Sequence, residues 1–249
     1  MKDTKTADFI RENVTLEVTD GTSMNCYCTR PGVGECKGGI LMLHGAFGTD
    51  DYIRSRNDRF SEAGYIVIAP DLFHRTRPGF EGNFLDYPTA RPLVQAVIAN
   101  DAGAEADLAA AFRWLDQQPG VEGRIASLGF CLGGRTAYLA NAILPVRAGI
   151  SLYGDIAPKS GEPGKGLLPR TPTLHAPMLL LWAGLDAHIL PEHRAAVIEA
   201  MKTHSKTYVS VEFSDANHGY GYEPDYRNYH PHAARQSWAL IMEFLKAYL

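Results

Sequence analysis

Short apolar runs alternate with polar, helix-periodic stretches along most of this chain. It opens differently. Val14 to Val18 alternates apolar and polar positions, Asp20-Gly21 is a turn signal, and Ser23 to Thr29 alternates again. That pattern predicts an N-terminal β-hairpin. Gly38 to Leu43, Tyr65 to Ala69, Ile125 to Leu128, Arg147 to Leu152 and Met178 to Trp182 are near-continuous apolar runs. Runs of that kind suit strands buried on both faces. Tyr208 to Phe213 reads as a further strand. Helical periodicity covers Asp50 to Ala63 (Asp50 or Asp51 the candidate cap), Ala102 to Gln118, Arg135 to Ile143, Pro191 to His204 and His232 to Leu249. In the second of these, Ala104, Leu108, Phe112 and Leu115 share one side.

Asp71 to about Ala99, with Pro78, Pro88 and Pro92, reads as loop-rich, and Ile156 to Ala176 as a surface loop near the catalytic end of the sheet. Strands alternating with helices predict an α/β fold, a mainly parallel central sheet with helices on both faces. No repeat or linker interrupts the pattern, so residues 1–249 are expected to form one domain.

Composition narrows the class. A hydrophobic fraction of 45% and a charged fraction of 21% are ordinary for a globular protein of 249 residues, which can bury a large core without disulfides or metals. The formal charge of −4 offers no electrostatic reason to expect a nucleic-acid or anionic-membrane partner. The first residues are polar, with no apolar signal core, and no apolar run approaches the roughly 20 residues of a membrane-spanning helix. Four cysteines do not make a disulfide scaffold, so a cytoplasmic location is expected. Cys26, Cys28 and Cys36 lie on or beside the hairpin without histidines at ligand spacing, so no metal site is expected there.

The stretch Gly129-Phe130-Cys131-Leu132-Gly133-Gly134 carries the chemistry. It lies between an apolar strand and a helix, with small residues two places either side of Cys131. The nucleophile elbow of α/β-hydrolases is G-x-S-x-G in the same setting. In an open α/β sheet, functional residues gather beyond the C-terminal ends of the strands. After Met178–Trp182 comes Ala183-Gly184-Leu185-Asp186; after Tyr208–Phe213 comes Ser214-Asp215-Ala216-Asn217-His218-Gly219. The order Cys131, Asp186, His218 is the nucleophile, acid, histidine order of that fold. Asp155 and Asp215 are the rival acids. His218 would take the thiol proton and Asp186 would orient the imidazole. The N–H of Leu132 is one expected oxyanion donor, and that of Ala46, in His44-Gly45-Ala46-Phe47-Gly48, the other. Phe47, Tyr153, His188 and Tyr222 are candidate substrate-binding walls.

From about Gly38 to the C-terminus the chain resembles the dienelactone hydrolases (carboxymethylenebutenolidases), a branch of the α/β-hydrolase fold. The resemblance rests on Phe47-Gly48, Pro70-Asp71-Leu72-Phe73, the G-x-C-x-G-G elbow, Tyr153-Gly154, Gly184-Leu185-Asp186 and Asn217-His218-Gly219. It implies cleavage of a small lactone or carboxylic ester through an acyl-cysteine, without a cofactor, by a monomer or weak homodimer. It also implies that Arg75 binds a substrate carboxylate. Two positions depart from the family pattern. Gly45 stands where the well-known members carry a glutamate, and Tyr222 where a second carboxylate-binding arginine is expected. Both departures point to a neutral, or differently anchored, ester or lactone. Two other functions use the same residues or fold: a thioesterase or acyltransferase of a metabolic pathway, and a non-catalytic ligand-binding relative.

Overall fold

The computed structural model describes residues 9–32, 34–157, 166–222 and 226–249. The hairpin forms as β1 (Phe9–Glu17) and β2 (Ser23–Pro31), longer than the alternation alone predicts. Its turn is closed by Asp20, whose carboxylate accepts from the N–H and hydroxyl of Thr22 at 3.1 and 2.6 Å. The buried strands follow as β3 (Gly39–Leu43), β4 (Ile66–Pro70), β5 (Ile125–Phe130), β6 (Ala148–Leu152) and β7 (Met178–Ala183). Every residue in these five strands is buried. The last strand, β8 (Tyr208–Phe213), is partly exposed because it forms an edge.

All eight strands join one sheet in the order β1-β2-β4-β3-β5-β6-β7-β8. The hairpin pairs antiparallel, with itself and with β4, and every other pairing is parallel. Parallel neighbours need crossovers, and helices supply most of them: α1 (Asp51–Glu62), α3 (Asp101–Asp116), α4 (Leu132–Ile143) and α5 (Pro191–Thr203). Helix α6 (Pro231–Tyr248) ends the chain and packs against β6 and β7. No helix among the described residues is long and apolar enough to cross a membrane.

One stretch differs from the loop expected for Asp71–Ala99. A 3₁₀ turn, Phe84–Asp86, leads into helix α2 (Tyr87–Ala99), with Pro88 in its first turn and Pro92 inside it. Proline lacks an N–H, but the first-turn N–H groups of a helix have no intrahelical acceptor, so Pro88 loses nothing there. Of the Ile156–Ala176 loop, residues 158–165 lie outside the described residues. Its Leu168–Thr173 portion is a 3₁₀ turn, with Thr171 hydrogen-bonded to Tyr138 of α4 at 2.6 Å.

Asp50, not Asp51, caps α1: its carboxylate accepts from the Ile53 N–H at 3.0 Å. Burial pushes this carboxyl up to about 7, against the pull of that hydrogen bond. The native state therefore holds a proton that the unfolded chain releases near the usual aspartate value of about 3.9. Stability contributed here is present at low pH, falls as pH rises to about 7, and is flat above. Asparagine keeps the capping acceptor without titrating. Urea unfolding is expected to show Asp50→Asn gaining stability over the parent between pH 4 and pH 8; an equal difference at both pH values would refute this.

Candidate active site

The strand β5 and helix α4 meet at Cys131, whose φ of 56° and ψ of −116° lie outside the ordinary regions for a side-chain-bearing residue. The Cys131 N–H donates to the Leu152 carbonyl at 3.0 Å, anchoring the turn to β6. The glycines around it are demanded by space. A Cβ on Gly129 would lie 2.1 Å from the Gly133 oxygen, and one on Gly133 would lie 1.9 Å from the Leu43 oxygen. Leu132 is the first residue of α4, so its N–H has no acceptor within the helix and sits at the positive end of the helix dipole.

Facing the elbow are the ends of β7 and β8. His218 Nδ1 meets Asp186 Oδ2 at 2.8 Å. Asp186 is 5% exposed, and its other oxygen accepts from the N–H groups of His188 and Ile189 at 2.8 and 3.0 Å. Burial disfavours the Asp186 carboxylate, but the hydrogen bond and charge of His218, with those two amides, hold it below the usual range. For His218, burial favours the neutral ring. The neighbouring Cys131 sulfur and the hydrogen-bonded Asp186 carboxylate outweigh it and push the imidazolium up to about 10. Asn228 donates to the His218 carbonyl at 2.9 Å, tying down the loop.

The loop after β3 is fixed from below by His44. Leu72 N–H donates to its Nε2 at 3.0 Å, which leaves the ring proton on Nδ1 to donate to the Gly45 carbonyl at 2.8 Å. Burial lowers the pKa of this ring and keeps it neutral. Asp71 fixes the neighbouring loop, accepting from the N–H groups of Phe73 at 2.9 Å and Gly79 at 2.7 Å. The two loops join through the Gly82 N–H, which donates to the Phe47 carbonyl at 2.9 Å.

A cavity of about 340 Å³ opens over these residues and is lined by Cys131, His218, Leu132 and Ala46. Phe47, Tyr153, His188 and Tyr222 line it too. Tyr153 is fully buried at a φ of 39°, its ring 5.0 Å from that of His218. Helix α2 and the turn before it roof the cavity with Phe84, Leu85, Tyr87, Val94 and Ile98. A second groove of about 470 Å³, between α5 and β8, holds none of Cys131, Asp186 or His218.

The model of the dienelactone hydrolase family matches residues 24–249. The chain belongs to the dienelactone hydrolase family. A relative from Escherichia coli O157:H7, named "Putative carboxymethylenebutenolidase", is 30% identical over 247 residues, covering 97% of this chain and 89% of its own. A Bradyrhizobium protein named "Probable 2-oxo-3-(5-oxofuran-2-ylidene)propanoate lactonase" is 26% identical, covering 93% of this chain and 92% of its own. A crystal structure from Klebsiella pneumoniae titled "Putative Dienelactone Hydrolase" superimposes with a TM-score of 0.85 at 26% identity, over 96% of this chain and 99% of that one. This member of the family is a carboxylic ester or lactone hydrolase with the α/β-hydrolase fold.

Within this dienelactone hydrolase family member, one expected site residue lies elsewhere. Arg75 does not line the cavity. Its guanidinium makes two hydrogen bonds to buried Asp107 of α3, at 2.6 and 2.8 Å, and another to Asp20 of the hairpin turn at 2.8 Å. Asp107 also meets His74 at 3.0 Å. With its donors turned to these carboxylates, Arg75 braces the hairpin against α3, and the expectation of a substrate carboxylate there is corrected. The guanidinium groups that do line the cavity belong to Arg91, Arg135 and Arg227, of which Arg135 pairs with Asp101 at 2.9 Å. The sequence reading missed Arg91 and Arg227. The apolar run Leu93 to Ile98 was the available signal for α2, masked by its prolines.

Removing one partner of a buried ion pair leaves the other uncompensated. Arg75→Ala is expected to lower unfolding stability by on the order of 3 kcal/mol. KM for a carboxylate-bearing ester should stay unchanged; a KM raised tenfold with stability intact would return Arg75 to substrate binding.

Proposed function

We propose that this protein cleaves a small lactone or carboxylic ester through a Cys131–His218–Asp186 triad and an acyl-cysteine intermediate. The observation that carries this reading is the hydrogen bond of His218 to Asp186 in a cavity that His218 and Cys131 line together. The His218 imidazolium, held up to about 10, lies beside the sulfur and favours attack by thiolate over thiol. The thiolate attacks the carbonyl carbon, and the carbonyl electrons move onto oxygen, which the N–H groups of Ala46 and Leu132 receive. Collapse re-forms the carbonyl and expels the alkoxide, which takes its proton from His218. Water, deprotonated by His218, then attacks the acyl-cysteine and returns the thiolate. Asp186 holds the ring orientation and its positive charge throughout.

The substrate's reacting end is uncharged. Position 222 carries a phenol and Arg75 is committed to Asp107, so no guanidinium comes from either position. An anionic group on the substrate would instead lie toward the exposed side chains of Arg91 and Arg227. A lactone fits this reading, in line with the lactonase name of the Bradyrhizobium relative.

Cys131→Ala is expected to lower kcat for a neutral ester or lactone by on the order of 10⁴-fold or more. Intact-protein mass spectrometry of the parent should trap an acyl adduct that the variant lacks. Retained turnover in Cys131→Ala would overturn the assignment. The pH profile tests the electrostatics. Because His218 titrates upward at about 10, the rate of acylation should fall as pH rises through that value. Asp186→Asn removes a charge that raises this pKa, so the alkaline limb should move to lower pH; an unmoved limb would exclude this role for Asp186.

A further inference from the structure

Gly45 has no positive φ that would require glycine. Its distinguishing property is the space beside it. A Cβ built there would lie 3.3 Å from the Phe130 carbonyl oxygen, 3.5 Å from the Cys131 Cβ and 3.4 Å from the Tyr222 hydroxyl. The phenol oxygen and the reactive cysteine therefore flank one point, immediately before the Ala46 amide. Any side chain longer than alanine at position 45 would compete with that hydroxyl for room.

Tyr222 is held there rigidly. Its ring stacks on Tyr52 with centroids 4.2 Å apart and 18° between planes. It meets Phe47 edge-on at 5.9 Å and Tyr226 at 5.3 Å. Its N–H donates to the Gly219 carbonyl at 3.0 Å, closing the turn that follows His218. The residue lines the same cavity as Cys131 and His218. A phenol fixed by three aromatic rings beside the reactive cysteine meets an arriving substrate without reordering. Burial, then the negative charges of Asp50, Tyr52, Cys131 and Tyr226, push the phenol well above its ordinary value of 10. It therefore stays protonated and can act as a donor.

We propose that the Tyr222 hydroxyl is a third hydrogen-bond donor to the tetrahedral oxyanion, beside the Ala46 and Leu132 amides. The inference rests on the triad reading given above. As the Cys131 sulfur bonds to the carbonyl carbon, the carbonyl π electrons move onto oxygen, and Tyr222 donates to that oxygen without transferring its proton. On collapse the electrons return, the C–O bond to the leaving group breaks, and His218 protonates the alkoxide. Tyr222 is thus a catalytic residue that contacts a reacting atom, in addition to walling the pocket.

Tyr222→Phe removes the hydroxyl and keeps the stacked ring. With p-nitrophenyl acetate and a short alkyl acetate, kcat is expected to fall on the order of 100-fold for both, with KM within about threefold. Alkylation of Cys131 by iodoacetamide forms no oxyanion and should proceed at the parental rate. If alkylation slows together with turnover, the hydroxyl orders the site instead and the proposal fails. Loss confined to the alkyl ester would place the hydroxyl on the leaving group, and unchanged kcat would remove it from the reaction; each overturns the proposal. Cys131→Ala assayed alongside separates the two levels. Activity surviving there defeats the triad reading itself, whereas a dead Cys131→Ala with a fully active Tyr222→Phe defeats this inference alone.

Discussion

Helix α4 can follow strand β5 without a loop because Cys131 adopts a left-handed backbone between them, at a φ of 56°. A residue with a Cβ resists such a conformation, at a cost on the order of 1–3 kcal/mol. It persists because the surroundings over-determine it. The Leu152 carbonyl holds the Cys131 N–H, and Gly129 and Gly133 let backbones approach where no Cβ fits. Much else follows from this crossing. It brings both Cys131 and Leu132, the first residue of α4, to the cavity that His218 also lines. Buried strands on either side make the crossing rigid, since each carries residues packed on both faces.

How far such features can be read from sequence depends on whether their cause is local. The elbow is legible because its cause is local: an apolar run, small residues at fixed offsets and a helix pattern lie within about a dozen positions. The positions of Asp186 and His218 at strand ends are legible too, because a parallel sheet gathers its C-terminal edges at one side. The hairpin and the buried strands could be read from their periodicity. Helix α2 was hidden because proline was weighed as a breaker, although Pro88 sits where a helix has no use for an N–H. Arg75 was misjudged for a different reason. Its partners Asp107 and Asp20 lie 32 and 55 positions away, on a helix and a hairpin turn that only the tertiary fold brings together.

The charges of the site divide into compensated and uncompensated sets. Asp186 is buried yet ionised, because the His218 ring and two backbone amides satisfy its oxygens. Asp50 is buried nearby with fewer partners, and it is pushed up to about 7. Within one domain face, then, one carboxylate supports a cation while the other is close to neutral, and hydrogen-bonding partners rather than burial alone account for the difference. The neutral His44 ring belongs with this pattern. It orders two loops through one accepted and one donated hydrogen bond and adds no charge beneath the cavity.

That electrostatic background explains what Gly45 and Tyr222 achieve together. The space beside Cys131 is bounded by its side chain, the Phe130 carbonyl and the Tyr222 hydroxyl. An anionic side chain there would lose its hydration. A phenol avoids that cost, since it donates a hydrogen bond while remaining uncharged. It also needs little ordering on substrate arrival, because Tyr52, Phe47 and Tyr226 already hold the ring. A prearranged dipole in a site shielded from water acts more strongly on developing charge than the same group would in solvent. Glycine at 45 and tyrosine at 222 are thus two halves of one solution. Enlarging the first displaces the second, and deleting the hydroxyl leaves a pocket whose donors to the reacting oxygen come from the backbone alone.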